Sequence, residues 1–252
     1  MPLNLKKLHV LVVGQPRGGT SLMLNMLVAA YPQFGHAEDE VMCLGELKLD
    51  GPRVSKSPRD SALQDEILAM AHSEGRILRT IAVIRDPRDV LTSMFHGGGY
   101  AADAEWYRTK NGKQRPVLGF RVLQQGITNW ISHPEQPALA VRYEDMVTDP
   151  DGVQARVAAH IGLEPDGVPF AEFYTASARL PMKAGHRNQP LTTEFIGRWQ
   201  KPEHRQRLVE VFGASKLLRS FVVELGYADD DAWFDALCCE EDWDELLKEH
   251  ES

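Results

Sequence analysis

A chain of 252 residues, 43% hydrophobic and 25% charged, has the length of one large α/β domain with a substantial core. No run approaches the roughly 18 apolar residues of a membrane span. Three cysteines, two of them adjacent (Cys238, Cys239), make neither a disulfide framework nor a zinc set. With no cleavable apolar region after Lys6 and Lys7, the expectation is a cytoplasmic protein without a membrane partner. The net charge of −8 is unevenly spread. Residues 228–252 carry eleven acids against Lys248, a segment charge of −10 that leaves residues 1–227 at about +2. A mildly basic body suits an anionic ligand, and no basic stripe indicates nucleic acid.

The apolar run Val10-Leu11-Val12-Val13 reads as a buried strand. Gly14-Gln15-Pro16-Arg17-Gly18-Gly19-Thr20-Ser21 follows, and Leu22 to Val28 reads as a buried helix opening at Thr20. Strand, glycine-rich turn and helix start cradle an anion: the backbone approaches closely, several N–H groups converge, and the helix terminus adds partial positive charge. The spacing nearly matches G-x-x-x-x-G-K-[ST]. Gly14, Gly19 and Ser21 are in register, but Thr20 stands at the lysine position and the loop's cation is Arg17.

Tyr31-Pro32 stops the helix. His36-Ala37-Glu38-Asp39-Glu40 then sets three acids in a row, readable as a solvated loop or as a base. Arg53-Val54-Ser55-Lys56-Ser57-Pro58 reads as a short strand ending in a turn. Ser61 to His72 has helical spacing, closed by Gly75. Leu78 to Ile84 is a strand buried on both faces, leading into Arg85-Asp86-Pro87-Arg88-Asp89, with Asp86 a helix N-cap and Pro87 at the first helical position. Ser93 lies about two turns on, where an arginine leaving the strand could meet its hydroxyl.

Beyond the insertion 97–115, in which Trp106 and Tyr107 either wall a pocket or pack the loop, Val117–Ser132 is helical in spacing. Leu139 to Arg142 is a fourth strand, followed by Tyr143-Glu144-Asp145. Helices are expected from Asp149-Pro150 to Ile161, within Pro165–Ala178, and over Pro202–Phe212 and Ser215–Leu225. Between Arg179 and Arg198 the pattern is lost in a basic stretch containing Lys183 and Arg187, which reads as a lid or as disorder. The acidic tail has helically spaced aromatic residues, leaving open whether it docks on its own domain, on a twin subunit in a homodimer, or on a partner. The architecture expected is a three-layer α/β fold, P-loop-like, with a mainly parallel sheet of strands near 8–13, 53–56, 78–84 and 138–142 and ligands at their carboxyl ends. One domain, 1–227, carries an appendage, 228–252.

Four segments in order, P-R-G-G-T-S, K-S-P, I-R-D-P-R-D with Ser93 eight residues after Arg85, and V-R-Y-E-D-M-V, resemble the sulfotransferases that use 3′-phosphoadenosine 5′-phosphosulfate (PAPS). The arginine form of the first loop is most similar to tyrosylprotein sulfotransferases and bacterial relatives. The resemblance runs from Val10 to about Trp199. It implies a 5′-phosphosulfate loop at Arg17, Gly18, Gly19, Thr20 and Ser21, and Lys56 on the transferring sulfate. It further implies a 3′-phosphate site at Arg85 and Ser93, Tyr143 beside the nucleotide, and a late basic loop, with Arg187 and Arg198 as candidates, over the 3′-phosphate and adenine. Relatives keep a base at Pro58 (histidine) or Ser55 (glutamate). With both absent, the resemblance turns to Glu38, Asp39 and Glu40; counting from the loop gives Glu38 or Asp39, with Asp39 preferred. Transfer without metal to a hydroxyl or amine of a small molecule or biosynthetic intermediate is implied. The alternatives are an ATP-dependent small-molecule kinase, which would want lysine at position 20, and a non-catalytic nucleotide-binding or scaffold protein.

Overall fold

The computed structural model describes residues 3–37, 40–92, 94–95, 98–99, 106–108, 114–116, 119–181 and 189–239. Two compact units emerge: residues 1–85 with 122–193, and residues 86–121 with 194–252.

The first unit is built on β1 (Leu8–Gly14), every residue of which is buried. A strand without a polar face needs cover on both sides, and parallel neighbours joined by crossover helices supply it. The chain continues through α1 (Thr20–Ala30), the one-turn α2 (Cys43–Glu46), β2 (Arg53–Lys56), α3 (Gln64–Ser73) and β3 (Ile77–Ile84). After α4 (Pro87–Thr92) come two small antiparallel ladders, β4 (Met94–Phe95) with β5 (Gly98–Gly99) and β6 (Trp106–Arg108) with β7 (Gln114–Pro116). Then follow α5 (Phe120–Ile131), β8 (Leu139–Arg142), α6 (Tyr143–Thr148) and α7 (Pro150–Ile161). The central sheet has the order β2-β1-β3-β8, all parallel.

Alternation along the strands divides the core in two. Leu8, Val10 and Val12 with Ile81, Val83 and Val141 pack against Met23, Met26 and Leu27 of α1 and Val153, Val157 and Ile161 of α7. Leu11, Val13, Leu78 and Ala82 face Ile67 and Ala71 of α3 and Ile127 and Trp130 of α5. These two apolar layers on one sheet make the three-layer fold, each large apolar side chain contributing about 1.5–3 kcal/mol of burial. The expected strands are all present. The helix expected within 165–178 is instead a 3-10 segment, Phe170–Arg179.

The second unit packs α4 with α8 (Arg205–Gly213), α9 (Lys216–Glu224) and α10 (Ala232–Cys238). Its core joins Val90, Leu91, Leu208, Phe212, Leu218, Phe221 and Val222 to Trp233, Phe234 and Leu237, so the first part of the acidic tail docks on this unit. Among the described residues no helix is long and apolar enough to cross a membrane.

Candidate active site

From β1 the chain crosses to β2 on one side, then returns past β1 to β3 on the other. Connections that diverge this way open a crevice at the carboxyl ends of β1 and β3. The glycine loop leaves β1 at that point and Arg85 leaves β3.

Loop geometry follows from its residues. Gly18 N–H donates to Gln15 O (2.9 Å), closing a turn. Gly19, the residue before α1, has φ 99°, and a Cβ there would lie 2.6 Å from Tyr143 Cδ2. Glycine is required both for the left-handed backbone and for the ring pressed against it. Arg17 is exposed and holds a left-handed φ of 67°, a conformation costing a non-glycine residue on the order of 1–3 kcal/mol and concentrated at functional loops. Its carbonyl accepts from Arg85 Nη1 (3.0 Å). The Arg85 guanidinium lies 4.2 Å from the centre of the Tyr143 ring, a cation–π stack. Tyr143 thus backs both the loop and Arg85. Thr20 is buried and Ser21 half-buried at the helix start.

Lys56 ends β2 with its side chain 5% exposed, and its Nζ donates to Glu40 Oε2 at 2.6 Å; the Glu40 side chain is 43% exposed. One member of the acidic cluster therefore meets the lysine. Glu38, Asp39, Ser93 and Arg187 lie outside the described residues. In the second unit, Asp89 accepts from Gly197 N–H and Trp199 N–H (both 2.9 Å). Arg88 forks onto Asp86 and stacks on Trp199 at 3.9 Å. These contacts fix the turn bearing Arg198, whose guanidinium stands 5.3 Å from the Phe195 ring. Arg88, Asp89 and the Arg88 partner Asp86 all lie in the R-D-P-R-D motif, but Gly197 and Trp199, more than a hundred residues away, were not legible from it.

Beneath Lys56 lies a buried polar group that sequence reasoning missed. His9 Nε2 meets Ser55 Oγ at 2.8 Å and Cys43 Sγ at 3.5 Å, and Cys43 N–H donates to Asp60 Oδ2 at 3.0 Å. Burial, then the Arg76 and Arg53 charges, lowers the His9 pKa to about 3. Burial, then Glu40, raises that of Asp60 to about 7, against the Cys43 N–H and Lys56. Burial, with Asp60 adding to it, pushes the Cys43 thiol up, so it stays protonated.

The signs oppose. The raised acid contributes stability present below its unfolded pKa near 4 and lost as pH rises through about 7. The lowered histidine contributes stability present above its unfolded pKa of 6.5 and lost as pH falls toward 3. Between pH 5 and 8 the two nearly offset each other. Asp60→Asn removes one side of this balance, so from pH 5 to pH 8 the variant should gain about 2–3 kcal/mol relative to the unmodified protein, read by urea unfolding at both pH values.

The arrangement is that of a P-loop-like α/β fold with its loop at the switch point. Residues 78–167 match the model of the sulfotransferase family. The sulfotransferase domain of the Synechococcus PCC 7002 olefin synthase superposes with a TM-score of 0.54 at 16% identity, covering 84% of this chain and 97% of that one. The sulfotransferase domain from the curacin biosynthetic pathway gives 0.50 at 16% identity, covering 81% and 96%. Mouse sulfotransferase SULT7A1 complexed with PAP gives 0.51 at 13% identity, covering 85% and 88%. Comparison with curated proteins found no match. The family match spans 90 of the 252 residues, and at 16% identity or below the structural likenesses show a shared fold.

Proposed function

We propose that the protein transfers a sulfuryl group from PAPS to a hydroxyl or amine of a small-molecule or biosynthetic-intermediate acceptor. The observation that carries this reading is the pairing of the exposed Arg17 loop at the switch point with a buried lysine, Lys56, whose partner is the carboxylate of Glu40. The loop fits an anionic sulfate ester: it opens a helix, whose first N–H groups lack intrahelical partners, Gly19 packs tightly against Tyr143, and Arg17 adds a cation. That one structural neighbour is complexed with PAP supports the choice of nucleotide. Bound there, PAPS would supply an activated sulfuryl group on a phosphate leaving group.

The chain's own residues would then bind, orient and neutralise. Residues 18–21 would donate backbone and hydroxyl hydrogen bonds to the 5′ end, and Arg17 would neutralise charge on the leaving oxygen. The Lys56 ammonium has three donors. One holds Glu40, leaving others for the transferring group's oxygens. In a loose in-line transfer the acceptor oxygen becomes acidic as its bond to sulfur forms, and the Glu40 carboxylate paired with Lys56 would take that proton. Tyr143 would fix the Arg85 plane for the 3′-phosphate.

Incubation with ³⁵S-labelled PAPS and a panel of alcohols, phenols and amines tests the reading; label transferred to an acceptor supports it, and none across the panel, with no PAP binding, refutes it. Arg85→Ala should weaken PAP binding about 10–150-fold while sparing adenosine 5′-phosphosulfate, which lacks the 3′-phosphate. Equal losses for the two nucleotides, by calorimetry, would overturn the Arg85 assignment.

A further inference from the structure

The turn after Lys56, Pro58–Ala62, continues past the K-S-P motif and touches the start of the glycine loop, α2 and α5. The Asp60 and Ser61 side chains are wholly buried. Ser61 Oγ accepts from the N–H of Gly14, the residue that opens the glycine loop (3.1 Å). Asp60 Oδ2 accepts from Cys43 N–H (3.0 Å), at the first residue of α2 and three positions after Glu40. Asp60 N–H donates to Ser57 O (3.0 Å), and Trp130 Nε1–H of α5 donates to Asp60 O (3.3 Å). At Gly126 a Cβ would come within 2.0 Å of Ser61 O, so α5 presses directly on the turn. The contacts close a ring: Glu40 to Cys43 along the chain, Cys43 to Asp60 by hydrogen bond, Asp60 back to Lys56 along the chain, and Lys56 to Glu40 by ion pair.

We propose that Asp60 is a positioning residue: by accepting the Cys43 N–H it holds the acidic segment against the turn after β2, so that the Glu40 carboxylate stands at Lys56. A wholly buried carboxyl is a costly way to fill space. Its Oδ1 makes no hydrogen bond among the described residues, so the Oδ2 bond to Cys43 is the polar contact that orients it. Glu40, with its side chain 43% exposed, has weak packing of its own. A one-ångström displacement of a catalytic group costs about 10²-fold in rate, so the anchor sets the usefulness of the pair it never touches.

The test compares the unmodified full-length protein with Asp60→Ala and Asp60→Asn, by hydrogen exchange and by kinetics. Asp60→Ala should speed amide exchange in residues 40–47 by about 10-fold or more, while peptides of β1 and β3 keep their protection. It should lower kcat about 10–100-fold with PAP affinity held. Asp60→Asn retains an oxygen for the Cys43 N–H and should restore the protection and most of kcat. Unchanged exchange in Asp60→Ala, or failure of Asp60→Asn to restore it, overturns the proposal. The kinetic arm rests on the sulfotransferase reading, whereas exchange decides the anchoring alone. Unmodified protein that binds no PAP would sink that reading and leave the exchange result standing.

Discussion

Lys56→Met is expected to lower kcat by about 10²–10³ and to leave PAP affinity nearly unchanged. PAP lacks the transferring sulfuryl group, so a lysine that works on that group contributes little to binding the product nucleotide. Its removal should therefore appear in turnover rather than in ground-state binding. Methionine replaces the buried stem with similar bulk, and the partner left behind, Glu40, is exposed enough to be rehydrated. Single-turnover kinetics beside PAP titration separate the effects. A rise in KM with kcat intact would make Lys56 a binding residue only.

Glu40→Gln should cost at least about 10² in kcat with PAP affinity preserved. The amide oxygen still accepts from Lys56, so the geometry survives and only proton acceptance is lost. This choice shifts weight within the acidic cluster. Counting along the sequence favours Asp39 or Glu38, and the ion pair with Lys56 favours Glu40. Asp39→Asn and Glu38→Gln belong in the same experiment. Full activity in all three amide variants on the true acceptor would reduce the cluster to a solvated loop, and His36, His96 or an acceptor already deprotonated in solution would be next.

What was legible in the sequence is what depends on neighbours along the chain. The buried strands β1 and β3 were readable because both their faces are apolar, and the glycine loop because its left-handed backbone restricts residue type. Tyr143 followed from its motif. Its contact with the Gly19 backbone, which explains why that glycine has no substitute, did not, since 124 positions separate the two. The His9–Ser55–Cys43–Asp60 group was missed for a related reason. Each residue falls in an otherwise apolar or turn-forming stretch, where a lone polar side chain carries no periodic signal. Only the parallel register, which sets His9 beside Arg53 and Leu11 beside Ser55, brings them together. The pairing of Asp89 with Gly197 and Trp199 depends likewise on packing within the second unit.

On the proposed function the loop takes a 3′-phosphorylated adenosine nucleotide without calling on magnesium. Calorimetric titration of the full-length protein with PAP, ADP and ATP, each with and without magnesium, addresses it most directly. PAP should bind at least about tenfold more tightly than ADP or ATP, since the 3′-phosphate adds a charge-assisted contact worth about 1.5–3 kcal/mol, and magnesium should change little. Tight magnesium-dependent ATP binding with no preference for PAP would contradict the proposed function and make the protein a kinase.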